Sequence, residues 1–267
     1  MHMKLFISAD IEGTAGTMAW PQTELNDPSW KEAAEEMTQE VRSACDGAGE
    51  RGVKEIFVKD AHDSARNLNP LLLPENVRIM RGWTRGPASM VGGLDGTFGA
   101  AAMIGYHSAC GTDGNPLAHT MNLGVEMATL NGKIMSEFTM HAYTCAWNRV
   151  PVIFVSGDRM ICESAQELIP AITAVPVSEG LGNASTFLHP AVARRRIQGG
   201  MRHALEGDVS RCLPKMPDHF EVTVRFREHY KAYRAAFYPG ARADGMKGAA
   251  FEADDYFDII RFLMFVL

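Results

Sequence analysis

The chain has 267 residues, of which 46% are hydrophobic and 22% are charged, and its formal net charge is −6 at pH 7. This composition is typical of a folded globular protein and excludes disorder. The negative charge and the shortness of the densest basic run, Arg194-Arg195-Arg196, argue against a nucleic-acid partner.

Two further classes are excluded by the distribution of apolar residues and cysteines. A charged leader followed by an apolar segment is missing, and the apolar stretches fall short of about 18 residues, so we expect neither a signal peptide nor a membrane span. The five cysteines are widely spaced and form no CxxC pair, which indicates a reducing, cytoplasmic location.

Two acids stand at the end of the first predicted strand. The apolar run over residues 3–7 predicts a short buried strand, and it leads into Ser8-Ala9-Asp10-Ile11-Glu12-Gly13. Because side chains alternate in an extended segment, Asp10 and Glu12 project to the same side. Two carboxylates placed so would repel each other, so the pair predicts a cation or other positive charge nearby.

A helix and a second strand follow. Apolar residues recur at helical spacing over residues 30–48, which predicts an amphipathic helix that ends near Gly49 or Gly52. The run Glu55–Asp60 predicts a strand that ends in Asp60-Ala61-His62-Asp63. A right-handed βαβ unit brings both strand ends to one edge of the sheet, where His62 would meet Asp10 and Glu12.

The middle of the chain supplies two further histidines as candidate ligands. A short strand is predicted over residues 77–80, and the small apolar segment 99–106 predicts another that delivers His107. A loop containing two glycines, Gly111 and Gly114, then precedes His119. Each of these histidines alone is more often structural than a ligand.

A hairpin is predicted around Asn131-Gly132, since this dipeptide is a strong turn signal between 127–130 and 133–135. Glu137 follows and opens a predicted helix that includes residues 138–143. As a residue of a first helical turn, Glu137 could serve the helix dipole alone.

The last third of the chain predicts further α/β elements. Strands are expected at 151–156 and 174–177, and helices at 160–169, starting near Asp158, and at 190–205. From residue 220 strand-like and helical patterns mix, and the apolar segment 259–267 is expected to pack into a groove of this subunit or a neighbour.

The alternation of strands and helices predicts an α/β fold: a three-layer sandwich with a mostly parallel central sheet and a smaller α+β subdomain. We predict an α/β metal-binding domain over residues 1–185, with an α+β insertion around 75–145 as a variant. Residues 186–267 would form a helical or α+β part packed on the first domain and on neighbouring subunits.

Three acids and three histidines thus follow strands or turns, where an α/β sheet places its ligand site. Such a set is usual for a two-metal hydrolytic site, but the residues alone leave structural roles open. The candidates are Asp10, Glu12, His62, His107, His119 and Glu137.

Four other residues have simpler interpretations. Asp60 and Asp63 are candidates to orient His62, with surface acids as the more frequent alternative. For Cys110 and His141 we expect packing or structural roles rather than a nucleophile or a ligand.

The chain resembles the zinc-dependent D-aminopeptidase family, peptidase family M55. The resemblance runs in order over about the first 160 residues and weakly beyond them. It is carried by Ser8-x-Asp10-x-Glu12-Gly13, Asp60-x-His62, Gly105-Tyr106-His107, His119-Thr120 and Asn131-Gly132 followed by Ser136-Glu137-Phe138.

This resemblance implies a site with two zinc ions per subunit. Asp10 would bridge both ions, Glu12 and His62 would complete one zinc site, and His107 and Glu137 the other. It also implies that His119 is the catalytic histidine and not a metal ligand.

The function implied by the resemblance is a cytoplasmic metallo-aminopeptidase that cleaves short D-amino-acid peptides. It also implies a ring-shaped homo-oligomer such as a decamer of two stacked pentamers. Two alternatives stay open: hydrolysis of L-peptides or other small amides, and a peptide-binding or carrier protein without turnover.

Overall fold

A computed structural model describes residues 3–267. The strands are β1 (Lys4–Ala9), β2 (Glu55–Asp60), β3 (Val77–Met80), β4 (Ala100–Tyr106), β5 (Val125–Leu130), β6 (Lys133–Ile134), β7 (Val152–Asp158), β8 (Thr173–Leu181), β9 (Ala184–Phe187), β10 (Phe220–Phe226), β11 (Arg242–Asp244) and β12 (Gly248–Ala253). The helices are α1 (Trp30–Glu50), α2 (Glu137–Trp147), α3 (Arg159–Leu168), α4 (Pro190–Ala204), α5 (His229–Ala235) and α6 (Tyr256–Val266).

The larger sheet has seven strands in the order β3-β2-β1-β4-β7-β8-β9. All neighbours pair in parallel except β8 and β9, which are antiparallel. The chain moves outward in one direction from β1 to β2 and in the other from β4 to β7. The strand order therefore reverses between β1 and β4, which is where open α/β sheets form their binding crevice.

Helices cover both faces of this sheet. Right-handed crossovers in opposite directions place α1 on one face and α3 on the other. Helix α4 packs against α1, and α2 packs against α3. The predicted three-layer α/β fold with a mostly parallel sheet is therefore confirmed.

A second, antiparallel sheet has five strands in the order β11-β12-β10-β5-β6. Its β5–β6 hairpin turns at Asn131 and Gly132, which have φ values of 50° and 76°. Both positive values fit the tight turn that an Asn-Gly pair favours, so the predicted hairpin is confirmed.

Helix α2 lies between two hydrophobic cores. Phe138 and Ala142 belong to the core of the parallel sheet, whereas Met140 and Tyr143 belong to the core of the second sheet. Glu137, the first residue of α2, is thereby fixed at the junction of the two sheets.

The apolar C-terminal segment lies in helix α6. Ile259 and Phe262 are fully buried in the second core, while Phe265 is 62% exposed. Packing of this segment within the subunit is therefore confirmed. No helix among residues 3–267 is both long and apolar enough to cross a bilayer.

One detail at residues 173–187 was not foreseen. The strand predicted over residues 174–177 extends as β8 to Leu181, and the chain returns as β9. Helix α4 packs on α1 and β8. The domain boundary between residues 185 and 186 stays a prediction. The sheets group the elements differently, because β5 and β6 share a sheet with β10, β11 and β12.

Candidate metal centre

The candidate site lies where the strand order reverses. Asp10 and Glu12 follow β1, and His107 follows the neighbouring β4. The two segments touch because Gly13 donates a backbone hydrogen bond to Gly105 O at 2.9 Å. A Cβ at Gly13 would lie 1.9 Å from Tyr106 O, so only glycine allows this close approach.

One oxygen of Asp10 faces His62. Asp10 Oδ1 lies 3.2 Å from His62 Nδ1, and Glu12 Oε2 lies 3.0 Å from the same nitrogen. Ligand atoms of these three residues fall within 4.8 Å of one another. Their donor set of two carboxylates and one imidazole suits a divalent cation such as zinc.

The other oxygen of Asp10 faces a second group. His107 Nε2 lies 3.5 Å from Asp10 Oδ2 and 3.4 Å from Glu137 Oε2. Ligand atoms of these three residues also fall within 4.8 Å of one another. Asp10 is therefore shared by two candidate ligand groups, one oxygen facing each.

Backbone carbonyls fix the orientation of the two histidine rings. His62 Nε2 lies 2.9 Å from Thr23 O, and His107 Nδ1 lies 2.9 Å from Ser108 O. When these nitrogens donate their protons to the carbonyls, the opposite nitrogen of each ring presents a lone pair to the carboxylates. Metal-binding histidines in proteins are oriented in this way.

Several buried polar atoms here have no hydrogen-bond partner within residues 3–267. They are Asp10 Oδ2, both carboxylate oxygens of Glu12 and His107 Nε2. Burying such atoms without a partner is costly. A cation bound in each of the two groups that share Asp10 would give these four atoms a partner, so the residues fit a metal centre.

The charges of the site are strongly coupled. Burial raises the pKa of Asp10 well above its ordinary value, and the charge of Glu12 adds to the rise. Burial opposes ionisation of Glu12 as well, yet His62 holds the pKa of Glu12 well below its usual range. Burial likewise opposes ionisation of Glu137, but His107 lowers its pKa to about 2. These carboxylates depend on positive charge close by.

His119 lies beside this group. It lines a cavity that Asp10, Glu12, His62 and Glu137 also line. Its ring is stacked on His107 with 4.4 Å between ring centroids, and the edge of Trp20 meets it at 5.3 Å. His119 Nδ1 lies 2.9 Å from Leu117 O, while Nε2 points to the site, 3.6 Å from Glu137 Oε1. A third set of ligand atoms within 4.8 Å consists of Glu12, His107 and His119.

The structure thus brings together all six residues that the sequence singled out. The structure also shows the surroundings of three residues for which simpler roles were expected: Asp60, Asp63 and His141. Asp60, for which a surface position was the more frequent expectation, is fully buried and accepts hydrogen bonds from the backbone N–H groups of Asn67 and Leu68. Asp63 is exposed. His141 bonds Glu137 O and the Met90 N–H, which is a structural role.

Trp20 and Thr23 were missed by sequence reasoning. They lie in a 3₁₀ turn, Trp20–Thr23, between β1 and α1, and reach the site because that segment folds back over the strand ends. The contacts involve an aromatic edge and a backbone carbonyl, neither of which has a sequence motif.

Comparison with known proteins gives one consistent result. The model of peptidase family M55, described as D-aminopeptidase, matches residues 3–265. A D-aminopeptidase of Bacillus subtilis (strain 168) is 29% identical over 255 residues, which are 95% of this chain and 92% of that protein.

A solved structure is similar over the same length. It is the Zn-dependent D-aminopeptidase DppA from Bacillus subtilis, a self-compartmentalizing protease, with a TM-score of 0.92 and 28% sequence identity. The match covers 99% of this chain and 96% of that chain.

Proposed function

Because this chain belongs to the D-aminopeptidase family M55, we propose that it is a zinc-dependent aminopeptidase that removes the N-terminal residue from short peptides containing D-amino acids. The observation that carries the proposal is the position of Asp10. Its two oxygens lie 3.2 Å from His62 Nδ1 and 3.5 Å from His107 Nε2, in a buried site with unpartnered carboxylates.

In this proposal the subunit holds two zinc ions. Asp10 would contribute to both zinc sites, Glu12 and His62 would complete one of them, and His107 and Glu137 would complete the other. The arrangement is supported by the two candidate groups that share Asp10. When bound, a zinc pair supplies a nucleophilic water at neutral pH and polarises the scissile carbonyl.

His119 is the proposed catalytic side chain. Its Nδ1 donates to Leu117 O, so Nε2 is the nitrogen that faces the cavity. In the neutral ring this Nε2 holds a lone pair and can accept a proton from the attacking water. The doubly protonated ring can then hydrogen-bond the oxyanion that develops at the scissile carbonyl, or pass that proton to the leaving amine. The His107 ring and the Trp20 edge keep the imidazole in place for either step.

We also propose that the chain acts as a ring-shaped homo-oligomer, such as a decamer, in the cytoplasm. An oligomer is supported by the self-compartmentalizing relative and by two exposed aromatic residues, Tyr233 of α5 and Phe237 just after it, each 70% exposed. A reducing compartment is supported by five buried cysteines that carry no disulfide. Light scattering would test the decamer, which requires about ten times the 29.3 kDa mass of one chain.

The direct test is hydrolysis of matched D- and L-dipeptides by the protein reconstituted with zinc. We expect release of the N-terminal residue, faster from the D-peptides, and loss of the reaction on chelation and in Asp10→Ala. Equal rates on D- and L-peptides would overturn the substrate assignment. A protein that binds peptides without cleaving any of them would overturn the enzymatic proposal.

A further inference from the structure

A second cavity adjoins the metal centre. The first cavity, about 360 Å³, is lined by His119 and by the candidate ligands Asp10, Glu12, His62 and Glu137, and the second, about 320 Å³, lies next to it. Trp83, Met121 and Asn122 line both cavities. A ligand that is too long for the first cavity can therefore continue into the second.

The shared wall is held firmly. The Trp83 indole N–H donates to Asp63 O at 2.6 Å, and Lys59 Nζ lies 4.3 Å from the Trp83 ring centroid. Met121 donates its backbone N–H to Glu137 Oε1 at 2.7 Å. The boundary between the cavities is thus tied to the residues next to His62 and to Glu137 itself.

The lining of the second cavity is mainly apolar. Pro87 and Met140 contribute to it, as do Leu263 and Met264 of helix α6. Arg85 is the charged side chain in this lining. Within residues 3–267, Arg85 makes no salt bridge and no side-chain hydrogen bond, so its guanidinium is free for a ligand.

The first cavity has the opposite polarity. Besides the carboxylates of Asp10, Glu12 and Glu137, Glu24 and Asp63 line it, and neither of these two forms a salt bridge within residues 3–267. A short peptide carries an ammonium group at one end and a carboxylate at the other. The two cavities match this polarity when the peptide places its amino end in the first and its carboxyl end in the second.

The spacing fits a peptide of two or three residues. Glu137 lines the first cavity and Met140 lines the second, and these two residues are three apart in α2, a rise of about 4.5 Å along the helix. An extended residue spans about 3.5 Å, so one or two residues bridge the interval from the metal centre to the second cavity. A carboxylate at that distance beyond the scissile bond is the terminus of a dipeptide or tripeptide.

Building on the proposed aminopeptidase function, we propose that the second cavity binds the part of the peptide beyond the scissile bond, and that Arg85 pairs there with its free C-terminal carboxylate. Arg85 is then a specificity residue that favours short peptide acids over amides and longer chains. A guanidinium suits this task because its planar donors match a carboxylate.

The test compares D-alanyl-D-alanine with its C-terminal amide on the zinc-loaded protein. Arg85→Gln is expected to lower kcat/KM for the acid about tenfold, mainly through KM, and to leave the amide unchanged. Arg85→Lys should restore part of the loss. Arg78→Gln, at an exposed arginine of β3 outside both cavities, should change neither substrate.

Equal loss for acid and amide in Arg85→Gln, or no loss for either, would overturn the carboxylate subsite. This outcome can be told apart from failure of the proposed aminopeptidase function, because in that case the wild-type protein would cleave neither the acid nor the amide. In that event the same acid and amide comparison, made on dissociation constants by calorimetry, still decides the role of Arg85: a wild-type preference for the acid that Arg85→Gln abolishes supports it.

Discussion

The imidazole rings of His107 and His119 are stacked almost in parallel, with 4.4 Å between their centroids and 8° between their planes. The two rings differ in what their Nε2 atoms face. His107 Nε2 is buried between Asp10 and Glu137, whereas His119 Nε2 faces the open cavity. This difference supports the proposed roles, in which His107 holds a metal ion and His119 meets the substrate.

Replacement of His119 should separate these roles. His119→Ala is expected to retain its zinc and to lower kcat about a hundredfold or more, which is the usual contribution of a positioned acid or base. Zinc per chain is measured by mass spectrometry on the sample used for kinetics. A loss of one zinc ion in His119→Ala would instead make His119 a ligand, as its proximity to Glu12 and His107 allows.

Replacement of Asp10 should remove both ions. The carboxylate of Asp10 belongs to both candidate groups, whereas Glu12 and His62 complete only one of them. After dialysis against trace zinc we expect Asp10→Ala to retain almost no zinc and Glu12→Gln to retain one ion. Asp46→Asn, at an exposed acid of α1, is the control and should retain two. Retention of one ion by Asp10→Ala would contradict the bridging role.

The close approach at Gly13 gives a prediction about stability. In Gly13→Ala the added Cβ would collide with Tyr106 O, which is backbone and cannot move aside cheaply. We expect a destabilisation of several kcal/mol in urea unfolding and weaker zinc binding, because Glu12 is the preceding residue. Gly49→Ala is the control: its Cβ meets nothing within 4 Å, and the change should stabilise α1 by about 0.5 to 1 kcal/mol. Similar unfolding curves for the two variants would contradict this account of Gly13.

A buried acid behind the site predicts a pH dependence. Glu40 of α1 is fully buried and its Oε1 accepts a hydrogen bond from the Ala15 N–H at 2.9 Å, while Oε2 has no partner within residues 3–267. Burial raises the pKa of Glu40 from 4.5 to about 8. The folded protein therefore holds a proton that the unfolded chain releases above about pH 4.5.

By linkage, Glu40 contributes its full stabilisation of the folded state below pH 4.5. This contribution to the free energy of unfolding is lost as the pH rises through about 8. Glu40→Gln removes this dependence and should gain a few kcal/mol relative to wild type between pH 5 and pH 9, at about 1.4 kcal/mol per pKa unit. Chemical unfolding at several pH values measures the difference. Glu35→Gln, at an exposed position of the same helix, should show no such trend. A pH-independent difference for Glu40→Gln would contradict the assignment.

Strand periodicity predicted the parallel sheet and the meeting of Asp10, Glu12 and His62, because the βαβ rule fixes which strand ends share an edge. It could not predict that β8 returns as β9, since a strand of only four residues, Ala-Ser-Thr-Phe, is too short to show a clear apolar pattern. The closeness of His107 to Asp10 follows from the pairing of β4 with β1, which no local signal specifies.

The environment around the ligands was less predictable than the ligands. Asp60 was expected more often as a surface acid, because its sequence neighbours do not show that Asn67 and Leu68 fold over it. The second cavity depends on contacts between α2 and α6, elements more than 100 residues apart in the chain. Sequence patterns predict single helices and strands, so they do not predict the cavities that form between these elements.

The central claim, that two zinc ions share Asp10, is tested most directly by anomalous X-ray scattering at the zinc edge from crystals of the zinc-loaded protein. We predict two peaks about 3.5 to 4 Å apart with the Asp10 carboxylate between them. Glu12 and His62 should flank one peak, and His107 and Glu137 the other. A single peak, or two peaks of which only one contacts Asp10, would contradict the claim.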